Sequence, residues 1–261
     1  MKVGFLGVGN MGYNLLKAAV SCSDLSIGDV YVYDTYTPSV ERAGQLGIKI
    51  ASSEVELVQS VDIVILAVKP KLLPEVAKTI RTTANDKAVV SILAGTTILD
   101  LQAVFDNSTR LLSILPNLPV SVDEGVIGVA DNYTITESEY SFIKRIFGGS
   151  SKIVEVDEKL LGVLSAISGS GPAFVSLFAE SLADAGVKNG LPRQISLELA
   201  IQTLLGTAKL LQETHKHPAI VKDEVSSPGG TTICGVAALE DGGFRSTVEK
   251  AVDTTVAKWY K

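Results

Sequence analysis

Residues 3–12 read VGFLGVGNMG, a short apolar run that leads directly into a glycine-rich hexapeptide. The hexapeptide has the pattern G-x-G-x-x-G and lies between a predicted strand, residues 3–6, and a predicted helix, residues 10–20. In this context the glycines permit a tight turn, close approach of a pyrophosphate and close helix–strand packing, whereas an ordinary glycine turn is the alternative. The segment predicts a dinucleotide site. The residues expected at the pyrophosphate are Gly7, Val8, Gly9, Asn10 and Met11.

The first half of the chain repeats this strand–helix alternation. Further apolar runs occupy residues 30–33, 63–68, 88–93 and 111–115. Continuous apolar runs are typical of parallel strands that are buried on both faces. We therefore expect a doubly wound sheet, an α/β Rossmann-type domain, over residues 1–155.

The second half contains no comparable strand pattern after Glu158. Apolar residues recur at helical spacing, and the predicted helices cover residues 171–187, 193–213, 231–240 and 244–259. Several of these helices are apolar on more than one face, which favours burial against a second chain as well as within the subunit. Residues 156–261 are therefore expected to form an all-α dimerisation and substrate domain, in a homodimer or an assembly of dimers.

Composition limits the functional classes. The 261 residues are 46% hydrophobic and 20% charged, with a net charge of −6 and no basic run, so no nucleic-acid partner is expected. No continuous apolar run reaches the roughly 18 residues of a membrane span, so no membrane partner is expected. Cys22 and Cys234 form no CxxC motif, which favours a reducing, cytoplasmic setting. His215 and His217 suggest a helix end rather than a metal site, and no metal is predicted.

Asp34 closes the second predicted strand, where an acid typically accepts a hydrogen bond from the adenosine ribose and repels the extra phosphate of NADP. This residue favours acceptance of, or preference for, NADH; a simple turn residue is the alternative. Later strands also end in candidate cofactor contacts, because ligands bind at the carboxyl edge of such sheets. These candidates are Ala67, Val68, Lys69, Pro70, Ala94, Gly95 and Asn117. A solvated lysine and a turn asparagine are the alternatives for Lys69 and Asn117.

Residues 225–232 read VSSPGGTT and precede an apolar helix. Glycine lets a ligand approach the backbone, and the free N–H groups at a helix start point towards negative charge. The segment therefore predicts a site for a small anion, such as the carboxylate of a substrate.

Several motifs together resemble the pyrroline-5-carboxylate reductase family. They are GVGNMG at 7–12, AVKP at 67–70, LPNLP at 115–119, SGSGPAF at 168–174 and the segment 225–232. The resemblance covers the whole chain. It implies a Rossmann domain and a helical domain interlocked with a second subunit. It also implies hydride transfer from NAD(P)H, usually NADPH, to the C=N carbon of a cyclic imino acid, 1-pyrroline-5-carboxylate, giving L-proline in the last step of proline biosynthesis.

The resemblance also implies roles for particular residues. Thr232 would be catalytic, with its hydroxyl on the ring nitrogen, and Glu158 would face that nitrogen and favour its protonated form. Backbone N–H groups and side chains would hold the substrate at Val225, Ser227, Gly230, Thr231 and Thr232. A helix-start acid and a helix-start threonine are the alternatives for Glu158 and Thr232.

The sequence departs from the family pattern at a few positions. Asp34 and Glu54 stand where neutral residues are common near the 2′-phosphate, which places strict use of NADPH in question. Glu224 stands where asparagine is common beside the substrate. Leu115 and Leu118 replace a more usual methionine and threonine, which suggests a change in packing.

Two other functional classes remain as alternatives. A related imine reductase or β-hydroxyacid-type dehydrogenase is one, and the latter would need an acid–base lysine in the helical domain. Lys188 and Lys209 are available there, but neither stands in a motif of that kind. A nucleotide-sensing regulatory protein is the other, and the intact segment 225–232 argues against it.

Overall fold

The structure is a computed structural model that describes residues 1–259. Its strands are β1 (Val3–Leu6), β2 (Val30–Tyr33), β3 (Lys49–Ile50), β4 (Ile63–Leu66), β5 (Ala88–Ser91), β6 (Arg110–Pro116), β7 (Gly125–Ala130) and β8 (Ser151–Val156). The helices of the first half are α1 (Asn10–Ser21), α2 (Thr37–Gly44), α3 (Glu54–Ser60), α4 (Leu73–Ile80), α5 (Ile98–Val104) and α6 (Glu137–Gly148). Those of the second half are α7 (Leu161–Leu164), α8 (Gly171–Lys188), α9 (Arg193–Thr214), α10 (Pro218–Val225), α11 (Thr231–Asp241) and α12 (Phe244–Trp259).

The eight strands form one sheet in the order β3-β2-β1-β4-β5-β6-β7-β8. All neighbouring pairs are parallel except β6 and β7, which are antiparallel. The predicted α/β Rossmann-type domain is thus confirmed. The strand order reverses between β1 and β4, so the carboxyl ends of these two strands meet at the crevice where doubly wound sheets bind ligands.

Helices cover both faces of this sheet. Phe5 and Ile65 belong to one buried cluster with residues of α1 and α6, whereas Leu6 and Leu66 belong to a second cluster with residues of α3, α4 and α5. Successive residues of a strand point to opposite faces, so a strand buried on both faces needs an unbroken apolar run. This requirement explains why β1, β4 and β5 could be predicted from sequence.

Three strands escaped prediction. β3 has only two residues and both are exposed, whereas β7 carries Gly125 and Gly128 and β8 mixes polar with apolar residues without a regular alternation. The apolar runs at 63–68 and 88–93 also extend beyond their strands, because β4 ends at Leu66 and β5 at Ser91. The residues after these ends leave the sheet and form its carboxyl edge.

A half-buried ion pair fixes the start of α6 to β6. Arg110 donates from Nη2 to Glu139 Oε1 over 2.7 Å and from Nε to Glu139 Oε2 over 3.0 Å. Glu139 also accepts from the Thr136 N–H in the capping box that begins α6. Burial alone would raise the pKa of Glu139, but the hydrogen bonds from Arg110 and Thr136 outweigh it and hold the pKa below its usual value.

The chain divides into two compact units, and the boundary lies between Gly169 and Ser170. Lys258 and the residue after it are grouped with the first unit. The expected functional boundary, between residues 155 and 156, lies at the end of β8. The first compact unit extends beyond this boundary, because α7 follows β8 in the chain and packs on β7.

The second unit buries few of its own side chains. Ala183, Ser196, Ala200 and Val221 are buried, and Ser196 Oγ donates to the Ala183 carbonyl where α8 meets α9. Four predicted helices are confirmed here with ends within about one residue, and α10 was not predicted. Large apolar side chains are exposed along these helices, including Leu177, Leu199, Ile201, Leu205 and Leu210.

One stretch of the described chain, Glu158–Lys188, is long and apolar enough to cross a membrane by length and composition alone, and little of it is buried. Serines and glycines interrupt it, so a search for continuous apolar runs misses it. A helical segment that packs against another protein chain satisfies the same test, because it too is apolar without being covered within its own subunit.

Candidate active site

The glycine loop joins β1 to α1 at the crevice of the sheet. Gly7 has φ = 95°, and a Cβ there would lie 2.6 Å from the Ala67 carbonyl oxygen. A Cβ on Gly12 would lie 2.5 Å from the Gly7 carbonyl oxygen. A Cβ on Gly9, in contrast, would meet no described atom within 4 Å. Two glycines are therefore required by packing, and the third leaves open space in which a phosphate can approach the backbone.

A cavity of about 560 Å³ lies beside this loop. This volume is within the usual range of ligand sites. Six predicted cofactor residues line it, namely Gly7, Gly9, Asp34, Ala67, Val68 and Lys69. It is also lined by Glu54, which the family pattern places near the 2′-phosphate, and by residues that were not predicted near the cofactor, namely Leu6, Tyr33, Thr35, Tyr36, Ser39, Lys71, Leu72 and Val76. The open backbone at Gly9 and the free N–H groups at the start of α1 fit a dinucleotide phosphate.

The structure changes the roles expected for Val8 and Asp34. The Val8 side chain is fully buried, its N–H donates to Asp34 Oδ2 over 2.8 Å and its carbonyl accepts from Arg42. Val8 therefore supports the loop and offers no free backbone group to a phosphate. The other Asp34 oxygen accepts from the Tyr36 N–H over 2.8 Å. Asp34 thus lies in the cavity as predicted, but backbone N–H groups already hold both of its oxygens.

The cavity contains charges of both signs. Asp34 and Glu54 contribute carboxyl groups, and Lys69 and Lys71 contribute amines from the turn that follows β4. Burial raises the pKa of Glu54, the nearby Glu75 carboxylate raises it further and a hydrogen bond from Thr79 opposes them. Phosphate groups would be attracted by the lysines and repelled by the two acids.

The other predicted cofactor residues do not line this cavity. Asn10 and Met11 begin α1, and Pro70 begins the short turn before α4. Ala94 and Gly95 lie exposed in the loop between β5 and α5. These positions all follow the carboxyl ends of parallel strands, at the same edge of the sheet as the glycine loop.

Asn117 is a structural link as well as a cofactor candidate. It is 6% exposed, its amide nitrogen donates to the Ser168 carbonyl over 2.9 Å and its amide oxygen accepts from the Val126 N–H over 2.8 Å. One N–H and one lone pair of the amide remain. Asn117 therefore joins the end of β6 to β7 and to the π-helical turn Ser165–Gly169.

Glu158 is held at the carboxyl edge of the sheet. Its Oε1 accepts from the Ile98 N–H at the start of α5 over 2.6 Å, and its Oε2 accepts from Asn132 over 3.0 Å. The positive end of the α5 dipole and an amide donor thus stabilise the carboxylate and fix its orientation. Neither partner was foreseen, because both are distant in sequence.

The segment after α10 forms a turn that leads into α11. Gly229 has φ = 68°, and the Gly230 N–H donates to the Ser227 carbonyl over 3.0 Å. The Gly230 N–H is therefore used within the turn and is not free for a carboxylate, contrary to expectation. Thr231 and Thr232 occupy the first turn of α11, where N–H groups have no acceptor within the helix.

Three hydroxyl groups lie at this helix start, those of Ser227, Thr231 and Thr232. All three residues are exposed, as is the predicted substrate contact Val225, and none of these hydroxyls bonds to another residue of the described chain. Hydroxyls within the helices of this unit behave differently: those of Thr203 and Thr254, for example, return to the carbonyl four residues earlier. The start of α11 therefore presents free donors and acceptors together with free N–H groups.

Glu224 and His217 each have a partner within the second unit. Lys216 Nζ lies 2.5 Å from Glu224 Oε1, so the unexpected acid is paired. His217 Nδ1 accepts from the Ala219 N–H and caps the start of α10. Within residues 1–259, no group of three histidine, cysteine or acidic side chains is placed to hold a metal ion.

Comparison with known proteins covers both halves of the chain. A family model described as pyrroline-5-carboxylate reductase dimerisation matches residues 158–260, and one described as NADP oxidoreductase, coenzyme F420-dependent, matches residues 2–95. The pyrroline-5-carboxylate reductase of Glycine max is 38% identical over 252 residues, 96% of this chain and 92% of the relative. That of Escherichia coli K12 is 36% identical over 262 residues, 98% of this chain and 96% of the relative.

A solved structure extends the similarity to the fold. The crystal structure of Plasmodium falciparum pyrroline carboxylate reductase with NADP bound has a TM-score of 0.89 and 32% sequence identity. The similarity covers 99% of this chain and 97% of the Plasmodium falciparum chain. The chain therefore belongs to the pyrroline-5-carboxylate reductase family and is an NAD(P)H-dependent oxidoreductase.

Proposed function

We propose that the reductase acts on 1-pyrroline-5-carboxylate at the start of α11 and produces L-proline, the last step of proline biosynthesis. The observation that carries this assignment of the site is the group of free hydroxyl and N–H groups at Thr231 and Thr232. A cyclic imino acid offers two matching features, a carboxylate and a ring nitrogen. When bound, the reduced nicotinamide supplies the hydride that the C=N carbon accepts.

The substrate carboxylate binds the first-turn N–H groups of α11, with the hydroxyls of Ser227 and Thr231 as further donors. The free N–H groups and the dipole of a helix start favour an anion there. Val225 and Gly230 shape the turn rather than donate to the substrate. Thr232 Oγ1 then hydrogen-bonds the ring nitrogen and orients the C=N bond for hydride transfer.

Glu158 supplies negative charge for the ring nitrogen. A carboxylate near the imine favours its protonated form, which is the more electrophilic one, because opposite charges favour each other's ionised state. Ile98 and Asn132 hold both oxygens of Glu158, so its orientation is set before substrate arrives. Charge balance and position suffice for this reaction, and no strong acid is needed.

The dinucleotide lies along Gly7–Met11 and the cavity beside them, with contacts from Asp34, Ala67–Pro70, Ala94, Gly95 and Asn117. NADH is accepted or preferred, because Asp34 and Glu54 place two carboxyl groups in the cavity where a 2′-phosphate would add negative charge. Lys69 and Lys71 offset part of that repulsion. The relative from Plasmodium falciparum binds NADP, so the family accommodates the extra phosphate.

The protein associates with itself through the helices of the second half. α8 and α9 expose leucine and isoleucine side chains, and isolated monomers rarely leave so many large apolar groups uncovered. Burial in a homodimer, or in an assembly of dimers, removes this surface from water. The proposed functional division assigns residues 1–155 to the cofactor and residues 156–261 to the substrate and the partner subunit.

A reducing, cytoplasmic setting fits the two free cysteines, Cys22 and Cys234. Nucleic acid and membrane are not among the proposed partners, since the net charge is −6 and the apolar stretch Glu158–Lys188 lies wholly within residues 158–260, the part that matches the dimerisation family.

A turnover assay tests this function. The protein is incubated with 1-pyrroline-5-carboxylate and either NADH or NADPH, and both cofactor oxidation and L-proline are measured. We expect proline to form in step with cofactor oxidation, with NADH at least as effective as NADPH. Absence of turnover with both cofactors, in folded protein, would falsify the proposal. Turnover of a β-hydroxyacid in place of the imine would favour the alternative dehydrogenase.

A further inference from the structure

Charged side chains hold both backbone groups of Val8, which belong to two successive peptide groups of the glycine loop. The Val8 N–H donates to Asp34 Oδ2 over 2.8 Å, and the Val8 carbonyl accepts from Arg42 Nη2 over 3.1 Å. The carboxylate thus faces the positive N–H and the guanidinium faces the negative carbonyl. Hydrogen bonds to charged partners are stronger than neutral ones, so both interactions restrain the loop.

Arg42 reaches this position from α2. Its guanidinium carbon lies 3.9 Å from the centre of the Tyr13 ring in the first turn of α1. The Tyr13 N–H donates to the Gly9 carbonyl over 2.8 Å and begins that helix. Arg42 Nε is buried and has no hydrogen-bond partner within residues 1–259. The side chain therefore contacts both the glycine loop and the helix that follows it.

The planarity of the peptide bond links Arg42 to the cofactor cavity. The Val8 carbonyl and the Gly9 N–H belong to the same trans peptide and point in opposite directions. When Arg42 fixes the carbonyl, it also fixes the direction of the Gly9 N–H. Gly9 lines the cavity and Arg42 does not. The guanidinium is thus placed to act behind the loop, without touching the bound dinucleotide.

We propose that Arg42 is a positioning residue for the cofactor: Asp34 holds the Gly7–Val8 peptide, and Arg42 holds the Val8–Gly9 peptide and so directs the Gly9 N–H towards the pyrophosphate. This inference rests on the proposed dinucleotide site but not on the identity of the imine substrate. An arginine suits the role because its planar guanidinium stacks on Tyr13 while one of its N–H groups bonds the carbonyl. A lysine retains the charge and a donor but loses the planar stacking.

Dinucleotide binding to Arg42→Met and Arg42→Lys tests the inference without any turnover. The Kd for NADH and the Kd for NADPH are measured by fluorescence titration of the full-length protein. We expect Arg42→Met to raise both Kd values about tenfold, the equivalent of one hydrogen bond from a charged donor. The two values rise in parallel because Arg42 does not contact the 2′-phosphate. Arg42→Lys is expected to lie between wild type and Arg42→Met.

Steady-state kinetics and a matched control separate positioning from general damage. We expect kcat at saturating cofactor, and the KM for the imino acid, to stay within about twofold, because only the loop is loosened. Arg81→Met removes a more exposed arginine, paired with Asp106, and should leave both Kd values unchanged. If Arg42→Met unfolds at a lower temperature than wild type, two other measurements provide the same test. One is the dinucleotide Kd of Arg42→Lys. The other is dinucleotide binding by Arg42→Met with added guanidinium ion, compared with binding with added sodium ion.

Three results would overturn the inference. One is an unchanged Kd in folded Arg42→Met. Another is a rise confined to NADPH, which would make Arg42 a ligand of the 2′-phosphate. The third is an equal loss in Arg81→Met. If wild type binds dinucleotide but does not reduce 1-pyrroline-5-carboxylate, the proposed function fails while the inference about Arg42 remains under test. The two failures are thus distinguishable.

Discussion

At the scale of single residues, Thr232 is the group whose role the structure makes most specific. Its hydroxyl bonds to no described residue, although hydroxyls elsewhere in the same unit return to the helix backbone. We expect Thr232→Ala to lower kcat about ten- to a hundredfold, the equivalent of one or two hydrogen bonds made to the reacting group. Steady-state assays measure kcat, and titration measures the cofactor Kd, which should change little.

Thr232→Ser is the matched variant, because it restores the hydroxyl and lacks only the methyl group. We expect it to regain most of the wild-type kcat. An Ala variant with wild-type kcat would remove Thr232 from the mechanism. If folded Thr232→Ser does not regain the wild-type kcat, Thr232 has a packing role instead.

Asp34 combines two functions in one carboxylate. It carries charge in the cofactor cavity, and it accepts the Val8 and Tyr36 N–H groups. Asp34→Asn removes the charge and keeps an acceptor oxygen. We expect the ratio of kcat/KM for NADPH to that for NADH to rise about tenfold, because a negative charge near the 2′-phosphate is lost. Kinetics with both cofactors measure that ratio.

Glu41→Gln is a fitting control for this experiment. Glu41 is exposed in α2, carries the same charge and does not line the cavity. We expect its cofactor ratio to match wild type. An Asp34→Asn variant with an unchanged ratio would show that the repulsion between Asp34 and the phosphate is screened.

Sequence alone defined some residues well and others poorly. The glycine loop could be predicted because a side chain at Gly7 would collide with the Ala67 carbonyl and one at Gly12 with the Gly7 carbonyl. Glycines that are required in this way produce a recognisable spacing. The support from Arg42 could not be predicted, because its contacts with Val8 and Tyr13 depend on how α2 packs beside α1. Val8 looked like a cofactor contact for the same reason: the sequence does not show which backbone groups are already paired.

At the scale of elements, the Arg110–Glu139 pair joins β6 to α6 and should affect stability. Glu139 is largely buried, and removing one partner leaves the other charge uncompensated. We expect Glu139→Gln to lower the free energy of unfolding by about 3 kcal/mol at neutral pH. Urea denaturation at one fixed protein concentration measures the difference.

The pH dependence of this difference has a definite sign. Because the folded-state pKa of Glu139 is lowered, its stabilisation is complete above the unfolded pKa and is lost as the pH falls through the folded pKa. The gap between wild type and Glu139→Gln should therefore shrink below about pH 4. Glu137→Gln, an exposed change in the same helix, should show no such gap. A gap that is constant with pH would rule out this ion pair as its cause.

Helices were easier to predict than strands. The ends of α8, α9, α11 and α12 match expectation within about one residue, since Gly190, Pro192, Gly230 and Gly243 mark their limits in the sequence. Strands β7 and β8 were missed because their pattern is broken by glycine or polar residues, and their burial depends on α6 and α7 packing on them. α10 is short and begins at Pro218 beside a charged run, so it resembled a loop.

At the scale of the whole molecule, the helical half should depend on a partner subunit for its stability. Leu205 lies in α9 and is 57% exposed. We expect Leu205→Glu to shift the protein from dimers or larger assemblies towards monomers and to lower its melting temperature. Light scattering coupled to size exclusion measures the mass in solution, and a dilution series gives the dissociation constant.

Leu99→Glu is the corresponding control in the first half. Leu99 in α5 is 72% exposed, so the new charge reaches water, and the assembly should remain as in wild type. A wild-type protein that is monomeric at micromolar concentration would contradict the proposed self-association. The sequence indicated this assembly because α9 is apolar on several faces, but it does not determine the number of dimers.

The central claim, hydride transfer to the C=N carbon of a cyclic imino acid, has a direct test. The protein is incubated with 1-pyrroline-5-carboxylate and NADH that carries deuterium at both C4 positions of the nicotinamide, and the proline is examined by NMR. The account predicts one deuterium per proline, on the ring carbon that was double-bonded to nitrogen. Proline without deuterium at that carbon, or NADH consumed without proline, would contradict it.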